Sequence, residues 1–239
     1  MNKKLLLWFP ILLIVIVTIL VYYLQVIRLD KPQSVAVTIV DGKITSKRFA
    51  MKHVDLVPAS FHSSVHANMV ASFITGLDKQ DRVTNIGVAN DNGTVSVDKM
   101  VSALDYIEKR KIDVVNLSIA FPVENRQIKN HIMKIVKNGT IIIAAAGDTG
   151  SGSVEFPANI DGVISVGSIN HNGVISVFSP DKNVSAYAEG EGIKYQEKPI
   201  YGTSFSTPII TSKVISDLNS GMSVADISKK YSGGYKVYE

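Results

Sequence analysis

The chain has 239 residues and no cysteine, which excludes disulfide bridges, a thiol nucleophile and cysteine-based metal sites. This length is enough for one domain with a sizeable core and an appendage. The net charge is +4, and Lys3, Lys4 and Arg28 flank the apolar N-terminal run. The rest of the chain is therefore nearly neutral, which argues against a nucleic-acid partner, because such proteins carry a clustered basic face.

The N-terminal run, residues 5–27, contains no charged residue. As a helix it would be roughly 34 Å long, enough to cross a bilayer, and the lysines before it predict a cytoplasmic N-terminus with the following domain outside. A cleaved signal peptide is the alternative, but residues 21–26 are bulky and contain no small-residue cleavage site. We therefore expect an uncleaved transmembrane signal-anchor at 5–27, a short linker at 28–33 and a domain at 34–239.

From residue 34 onwards, buried apolar runs alternate with helical patterns. Strands are predicted at 34–40, 82–89, 113–119 and 140–146, and helices at 66–76, 97–111, 130–138, 204–218 and 223–230. This alternation predicts an α/β domain with a doubly wound, mostly parallel sheet and helices on both faces. The glycine-rich tail after residue 230 is expected to fray.

Three chemically capable side chains fall at the ends of these elements. Asp41 follows the first strand, where catalytic groups gather in open α/β sheets, although an acid there also suits a turn. His66 begins a helix whose apolar positions keep it facing the interior, with His62 as a rival base. Ser204 suits the first turn of a buried helix, near the positive end of its dipole, although serine also commonly caps helices. Pro208 lacks an N–H and leaves the Ser204 carbonyl without its usual helical donor.

Seven segments resemble, in order, the motifs of subtilisin-like serine peptidases. Among them are VDG at 40–42, HANMVASFITG at 66–76, DVVNLSI at 113–119, IIIAAAGDTG at 141–150, FPA at 156–158 and GTSFSTP at 202–208. The resemblance covers residues 34–218 and implies the subtilisin-like fold, with a cis bond between Phe156 and Pro157. It also implies a catalytic triad in which His66 takes the proton of Ser204 and Asp41 orients the imidazole. Such a mechanism requires no metal or organic cofactor.

The resemblance also implies substrate-binding positions, which are Ser118, Ile119, Ala120, Ala145, Ala146 and Gly147. The family's oxyanion-hole asparagine is replaced here by Asp148. An ionised carboxylate there repels the developing oxyanion, whereas a protonated one donates to it. Burial and nearby negative charge both favour the protonated form.

We therefore expect a membrane-anchored serine endopeptidase that cleaves exported peptides or proteins. The six residues between the apolar run and the first strand leave no room for the N-terminal propeptide usual in relatives, so we expect a member without one. The alternative is a catalytically impaired protein of the same fold that binds peptides or partners at the membrane. Asp148, together with Ala67 and Lys43 in place of family residues, motivates that alternative.

Overall fold

The computed structural model describes residues 14–22, 34–47, 51–57, 61–75, 77, 81–150 and 152–237. The chain divides into two compact units, Met1–Gln33 and Ser34–Glu239. In the first unit, residues 14–22 are helical with exposed side chains. The remainder of the predicted anchor at 5–27 and the whole linker at 28–33 lie outside the described residues. Within the part of the chain that is described, no helix is both long and apolar enough to span a bilayer.

A parallel sheet of eight strands forms the centre of the second unit. Its strands are β1 (Ala36–Asp41), β2 (Met51–Asp55), β3 (Arg82–Gly87), β4 (Val114–Leu117), β5 (Ile141–Ala145), β6 (Val163–Ile169), β7 (Ala186–Glu189) and β10 (Tyr235–Lys236). They lie in the order β10-β7-β6-β5-β4-β1-β3-β2, and every pairing is parallel. A separate antiparallel hairpin joins β8 (Glu191–Tyr195) to β9 (Lys198–Tyr201). The predicted α/β class with a mostly parallel sheet is confirmed.

Helices cover both faces of this sheet. They are α1 (Phe61–Phe73), α2 (Val97–Glu108), α3 (Arg126–Lys137), α4 (Thr203–Asn219) and α5 (Val224–Lys230). Apolar side chains of α1, α4 and α5 share one core cluster with β1, β5 and β6. Those of α2 and α3 share the second large cluster with β3, β4 and β5. Two separate cores, one on each face, are what a doubly wound sheet requires.

The α4 helix is buried almost all round. Eleven of its 17 residues are buried, and several of its hydroxyl groups are hydrogen-bonded within the core, whereas the buried Ser206 hydroxyl has no partner among the described residues. Thr207 donates to the Thr203 carbonyl at 2.7 Å, and Thr211 Oγ1 lies 2.9 Å from both the Thr207 carbonyl and Asn116 Oδ1, two acceptors that share its one hydrogen. A helix that is enclosed on all sides in this way is typical of the centre of a fold.

Several elements differ from the sequence prediction. The α1 helix begins at Phe61, five residues before the predicted start at His66, so His66 lies in the second turn. The α3 helix begins at Arg126, capped by the Asn125 side chain, rather than at residue 130. The tail does not fray, because β10 pairs with β7 and buries Val237. The bond between Phe156 and Pro157 is cis, as expected.

The strand order places a crevice at one point of the sheet. From β1 the chain passes first to β2 and β3 on one side and then to β4 and β5 on the other. Parallel sheets bind ligands at such a switch point, outside the carboxyl ends of the strands. Asp41 ends β1, and Ser118 follows the last residue of β4.

Candidate active site

Asp41 is held at the end of β1 with its carboxylate in the interior. The residue is 3% exposed, and its Oδ1 accepts the Gly42 backbone N–H at 2.7 Å. Gly42 lies against α1 so closely that a Cβ there would collide with the Ser63 carbonyl oxygen. The glycine therefore allows α1 to approach the end of β1 and bring its side chains to Asp41.

His66 projects from α1 towards this carboxylate. Its Nδ1 lies 3.0 Å from Asp41 Oδ1. Because the carboxylate can only accept, Nδ1 carries the hydrogen and Nε2 is left as the basic nitrogen. The ring packs on Phe205, with 5.4 Å between ring centroids, and Phe205 packs in turn on Phe73. The imidazole is thus oriented by one hydrogen bond and one aromatic contact.

Ser204 is the second residue of α4 and is half-buried. Its hydroxyl donates to the Ser118 carbonyl at 3.2 Å, and its own carbonyl accepts from the Ser118 hydroxyl at 2.9 Å. The first residue of α4, Thr203, receives the Gly147 N–H on its hydroxyl at 3.2 Å. These contacts join the start of α4 to the ends of β4 and β5.

Asp41, His66 and Ser204 line one cleft of about 1100 Å³. They come from β1, α1 and α4, which are far apart along the chain. The predicted substrate-binding residues Ser118, Ile119 and Ala120 line the same cleft. The structure therefore brings the predicted triad and one predicted substrate wall to a single open site at the switch point of the sheet.

The pKa of the His66 imidazole is raised above its usual 6.5. The largest cause is attraction to the Asp41 carboxylate, which burial of the ring opposes. The hydrogen bond to Asp41 raises the pKa further, and so does the charge of Asp148. The site therefore stabilises a protonated imidazole, which is what a base must become when it takes a proton.

Asp148 acts as a hydrogen-bond acceptor at the start of α4. Its Oδ1 accepts the Thr203 backbone N–H at 2.7 Å, and the residue is exposed. A carboxylate at a helix N-terminus is stabilised by the helix dipole. Gly147 turns the chain towards this position with φ of +104°, and a Cβ there would collide with the Glu155 carboxylate. Asp148 is thus placed beside the nucleophile helix, while its role as an oxyanion donor stays a prediction.

The other predicted substrate-binding residues lie deeper. Ala145 and Ala146 are buried at the end of β5, and the Ala146 carbonyl accepts the Glu155 N–H at 2.8 Å. Gly147 is buried as well. None of the three is among the residues that line the cleft, so their contact with a substrate stays a prediction.

Sequence reasoning missed the turn that forms the opposite wall of the cleft. Residues 89–95 line it, because they follow β3, which lies next to β1. The sequence Asn90-Asp91-Asn92-Gly93 is a turn signal that could have placed a loop there. His62, the rival base, faces Asp91 in this turn, with 3.6 Å between Nδ1 and Oδ1. Asp41 is paired with His66 instead.

Among the residues described, no group of three or more histidine, aspartate or glutamate side chains is placed to hold a metal ion.

This architecture, a parallel sheet with a buried serine-bearing helix beside a His–Asp pair, is that of the subtilisin-like fold. The chain belongs to the Subtilase family, whose sequence pattern matches residues 40–229. Subtilisin DY from Bacillus licheniformis is 26% identical over 225 residues, covering 78% of this chain and 80% of that protein. The major intracellular serine protease of Bacillus subtilis (strain 168) is 25% identical over 169 residues, covering 61% of this chain and 52% of that protein. The chain thus spans about half the length of some curated relatives.

Solved structures share the fold. The prenylagaramide maturation protease PagA superposes with a TM-score of 0.69 at 20% identity, covering 82% of this chain and 81% of that chain. The self-cleaved protease domain of PatA gives a TM-score of 0.63 at 21% identity, covering 82% and 84%. These similarities establish the subtilisin-like fold, which the sequence motifs had predicted.

Titration of His66 tests the electrostatics of the site independently of any activity. We expect its imidazole to titrate above pH 6.5 in NMR spectra of histidine-labelled protein, assigned with His66→Gln. In Asp41→Asn the pKa should fall, because the main attraction is removed. Since the pKa is raised on folding, the associated stabilisation is fully present below pH 6.5 and is lost as the pH rises through the folded value. A His66 pKa that does not change in Asp41→Asn would contradict the assigned cause.

Proposed function

We propose that this protein is a serine endopeptidase that hydrolyses peptide bonds through an acyl-enzyme, with Ser204 as nucleophile, His66 as base and Asp41 as the group that orients the base. The observation that carries the proposal is the 3.0 Å Asp41–His66 pair, opening on the cleft that also contains Ser204. Family membership and relatives named as serine proteases support it.

The reaction starts with rotation of the Ser204 hydroxyl from the Ser118 carbonyl towards His66 Nε2. Ser204 Oγ then attacks the carbonyl carbon of the substrate while Nε2 takes the hydroxyl proton, and Asp41 stabilises the imidazolium. The imidazolium gives this proton to the leaving amine. A water molecule, deprotonated by the same nitrogen, then hydrolyses the ester on Ser204.

The oxyanion formed in each half of the reaction needs hydrogen-bond donors. The Ser204 backbone N–H and the positive end of α4 are the donors that remain when Asp148 is ionised. Asp148 Oδ1 accepts the Thr203 backbone N–H at 2.7 Å, and an oxygen that accepts in this way gives the oxyanion no hydrogen. We therefore propose a peptidase that is active but slower than relatives with an amide at this position.

The second candidate function is a catalytically impaired peptide- or partner-binding protein. Two observations favour it, namely the carboxylate at position 148 and the hydrogen bond that holds the Ser204 hydroxyl on the Ser118 carbonyl. It shares the fold and the cleft with the enzyme. Reactivity at Ser204 separates the two candidates.

A fluorophosphonate probe distinguishes an active nucleophile from an inert serine. We expect the wild-type protein to form a covalent adduct on Ser204, because the His66–Asp41 pair activates the hydroxyl. Ser204→Ala should form none, and His66→Gln should form far less. Mass spectrometry of the labelled peptide measures each outcome. No Ser204-dependent adduct between pH 5 and pH 10 would favour the binding function.

Asp148→Asn should raise turnover. The asparagine carbonyl oxygen can still accept the Thr203 N–H, while its amide supplies the missing oxyanion donor, an interaction worth up to about 10²–10³ in kcat. The acid limb of the pH–rate profile should also move to lower pH, because the Asp148 charge helps to raise the His66 pKa. Asp148→Ala is the matched control, which removes the charge without adding a donor. Equal rates for the two variants would contradict a donor role at this position.

We further propose that the catalytic domain is tethered to a membrane by residues 5–27, with the N-terminus in the cytoplasm and the domain outside. The apolar run, the preceding lysines and the absence of a cleavage motif support this. With a linker of six residues and no intervening propeptide, the cleft would act on exported peptides or proteins near the membrane surface.

Membrane extraction tests the tether. Wild-type protein should remain in the membrane pellet at alkaline pH, and Ile16→Arg with Leu20→Arg should release it, because each arginine costs about 2.5–3.5 kcal/mol at the centre of a spanning helix. Arginines at the exposed Val123 and Val177, which are 74% and 94% exposed, are the matched control and should leave the wild type's behaviour unchanged. A wild-type chain recovered without residues 5–27 would indicate a cleaved signal peptide instead.

A further inference from the structure

We propose that the Ser118 side chain is a positioning residue for the nucleophile, because its hydroxyl replaces the helical hydrogen bond that Pro208 removes from Ser204. The inference rests on the proposed function, in which Ser204 attacks the substrate. In this role Ser118 acts through its side-chain hydroxyl. The role is separate from the substrate contact that the family resemblance implies for Ser118.

Pro208 creates the need for this hydrogen bond. In an α-helix the carbonyl of residue 204 accepts the N–H of residue 208, but proline has no N–H. Pro208 lies inside α4 and is buried, so the Ser204 carbonyl loses its usual donor at the position that carries the nucleophile. The Ser118 hydroxyl, just after the end of β4, supplies a donor, with 2.9 Å between Ser118 Oγ and the carbonyl oxygen.

The direction of the Ser118 hydroxyl is fixed by Asn116. The Asn116 side-chain amide donates to Ser118 Oγ at 3.0 Å, so the hydroxyl hydrogen is left to point at Ser204. Asn116 is fully buried and is oriented in turn by Thr211, whose hydroxyl lies 2.9 Å from Asn116 Oδ1. Thr211 belongs to α4. The network therefore starts and ends on the nucleophile helix and ties two of its turns to β4.

The Ser118 hydroxyl acts on the position of Ser204 rather than on the substrate. Ser118 is only 4% exposed, and its hydroxyl is occupied by Asn116 and the Ser204 carbonyl. Its backbone carbonyl, which accepts the Ser204 hydroxyl at 3.2 Å, is unchanged by a side-chain substitution. Removing the hydroxyl should therefore displace the nucleophile without altering the binding surface. Misplacement of a reacting group by about 1 Å costs on the order of 10²-fold in rate.

A double-mutant cycle on the full-length chain tests the inference. In Ser118→Ala the phosphonylation rate of Ser204 and kcat on a peptide substrate should fall by roughly 10–100-fold, with KM unchanged. In Pro208→Ala the new N–H can serve the Ser204 carbonyl, so adding Ser118→Ala should cost no more than about twofold, the scatter of independent sites. If Ser118→Ala lowers the phosphonylation rate and kcat equally in both backgrounds, the inference is overturned. It is also overturned if Ser118→Ala changes only KM.

Ser212→Ala is the matched control for general loosening of α4. Ser212 is a buried serine of the same helix, eight positions after Ser204, and its hydroxyl oxygen accepts the Thr75 N–H at 3.0 Å. In Ser212→Ala the phosphonylation rate of Ser204 should stay within about twofold of the wild-type rate. If Ser212→Ala slows the reaction as much as Ser118→Ala, the effect is not specific to the Ser204 carbonyl and the inference fails.

Chemical denaturation of the four proteins of the cycle, which are the wild type, Ser118→Ala, Pro208→Ala and the double variant, gives a readout that needs no activity. Ser118→Ala should shift the unfolding equilibrium by roughly 5–30-fold, as for a buried group left without its partner, and by less in the Pro208→Ala background. If the wild type forms no Ser204-dependent adduct, the proposed function fails and this stability cycle still decides on the hydrogen bond. Unequal shifts support the bond between Ser118 and Ser204, and equal shifts overturn it.

Discussion

The geometry of the cleft depends on how closely α1 approaches the end of β1. The contact is made at Gly42, where any side chain would collide with the Ser63 carbonyl. Because the two backbones meet there, His66, one turn further along α1, reaches Asp41 at 3.0 Å. The Gly42 N–H also fixes the same carboxylate oxygen. Gly42 therefore allows the proposed base to lie close to the sheet. The proposed nucleophile lies on α4, which packs beside α1 through the contact between Phe205 and His66.

The central part of the fold could be predicted from the sequence because its strands are buried on both faces. β1, β4 and β5 are fully buried and mostly apolar, and the sequence makes such segments visible. β2 could not be found in this way, since it lies at the sheet edge and none of its side chains is fully buried. The two-residue β10 depends entirely on its partner β7. The early start of α1 was hidden for a similar reason, because the helix begins without an acidic first turn and carries mixed polar and apolar residues.

Asp41, His66 and Ser204 could be predicted because each lies in a short local motif, and the structure brings them to one cleft. The hydrogen bonds that hold the surrounding residues in place could not be predicted, because the two partners of each bond are distant in the chain. Thr211 and Asn116 are 95 positions apart, and Thr203 and Asp148 are 55 apart. Their relation exists only when α4 lies across the ends of β4 and β5. Sequence motifs therefore indicate the reacting groups, whereas packing decides what orients them.

In the proposed reaction, Asp148 would affect two steps in opposite directions. As a carboxylate it adds to the charge that raises the His66 pKa, so it stabilises the imidazolium formed when Ser204 attacks. It also lies beside α4, where the developing oxyanion would be repelled by it. The hydrogen bond from Thr203 and the helix dipole offset part of that repulsion. In the proposed reaction, an acid at this position would favour proton transfer over oxyanion stabilisation and would shift the reaction towards higher pH, where a base with a raised pKa is neutral.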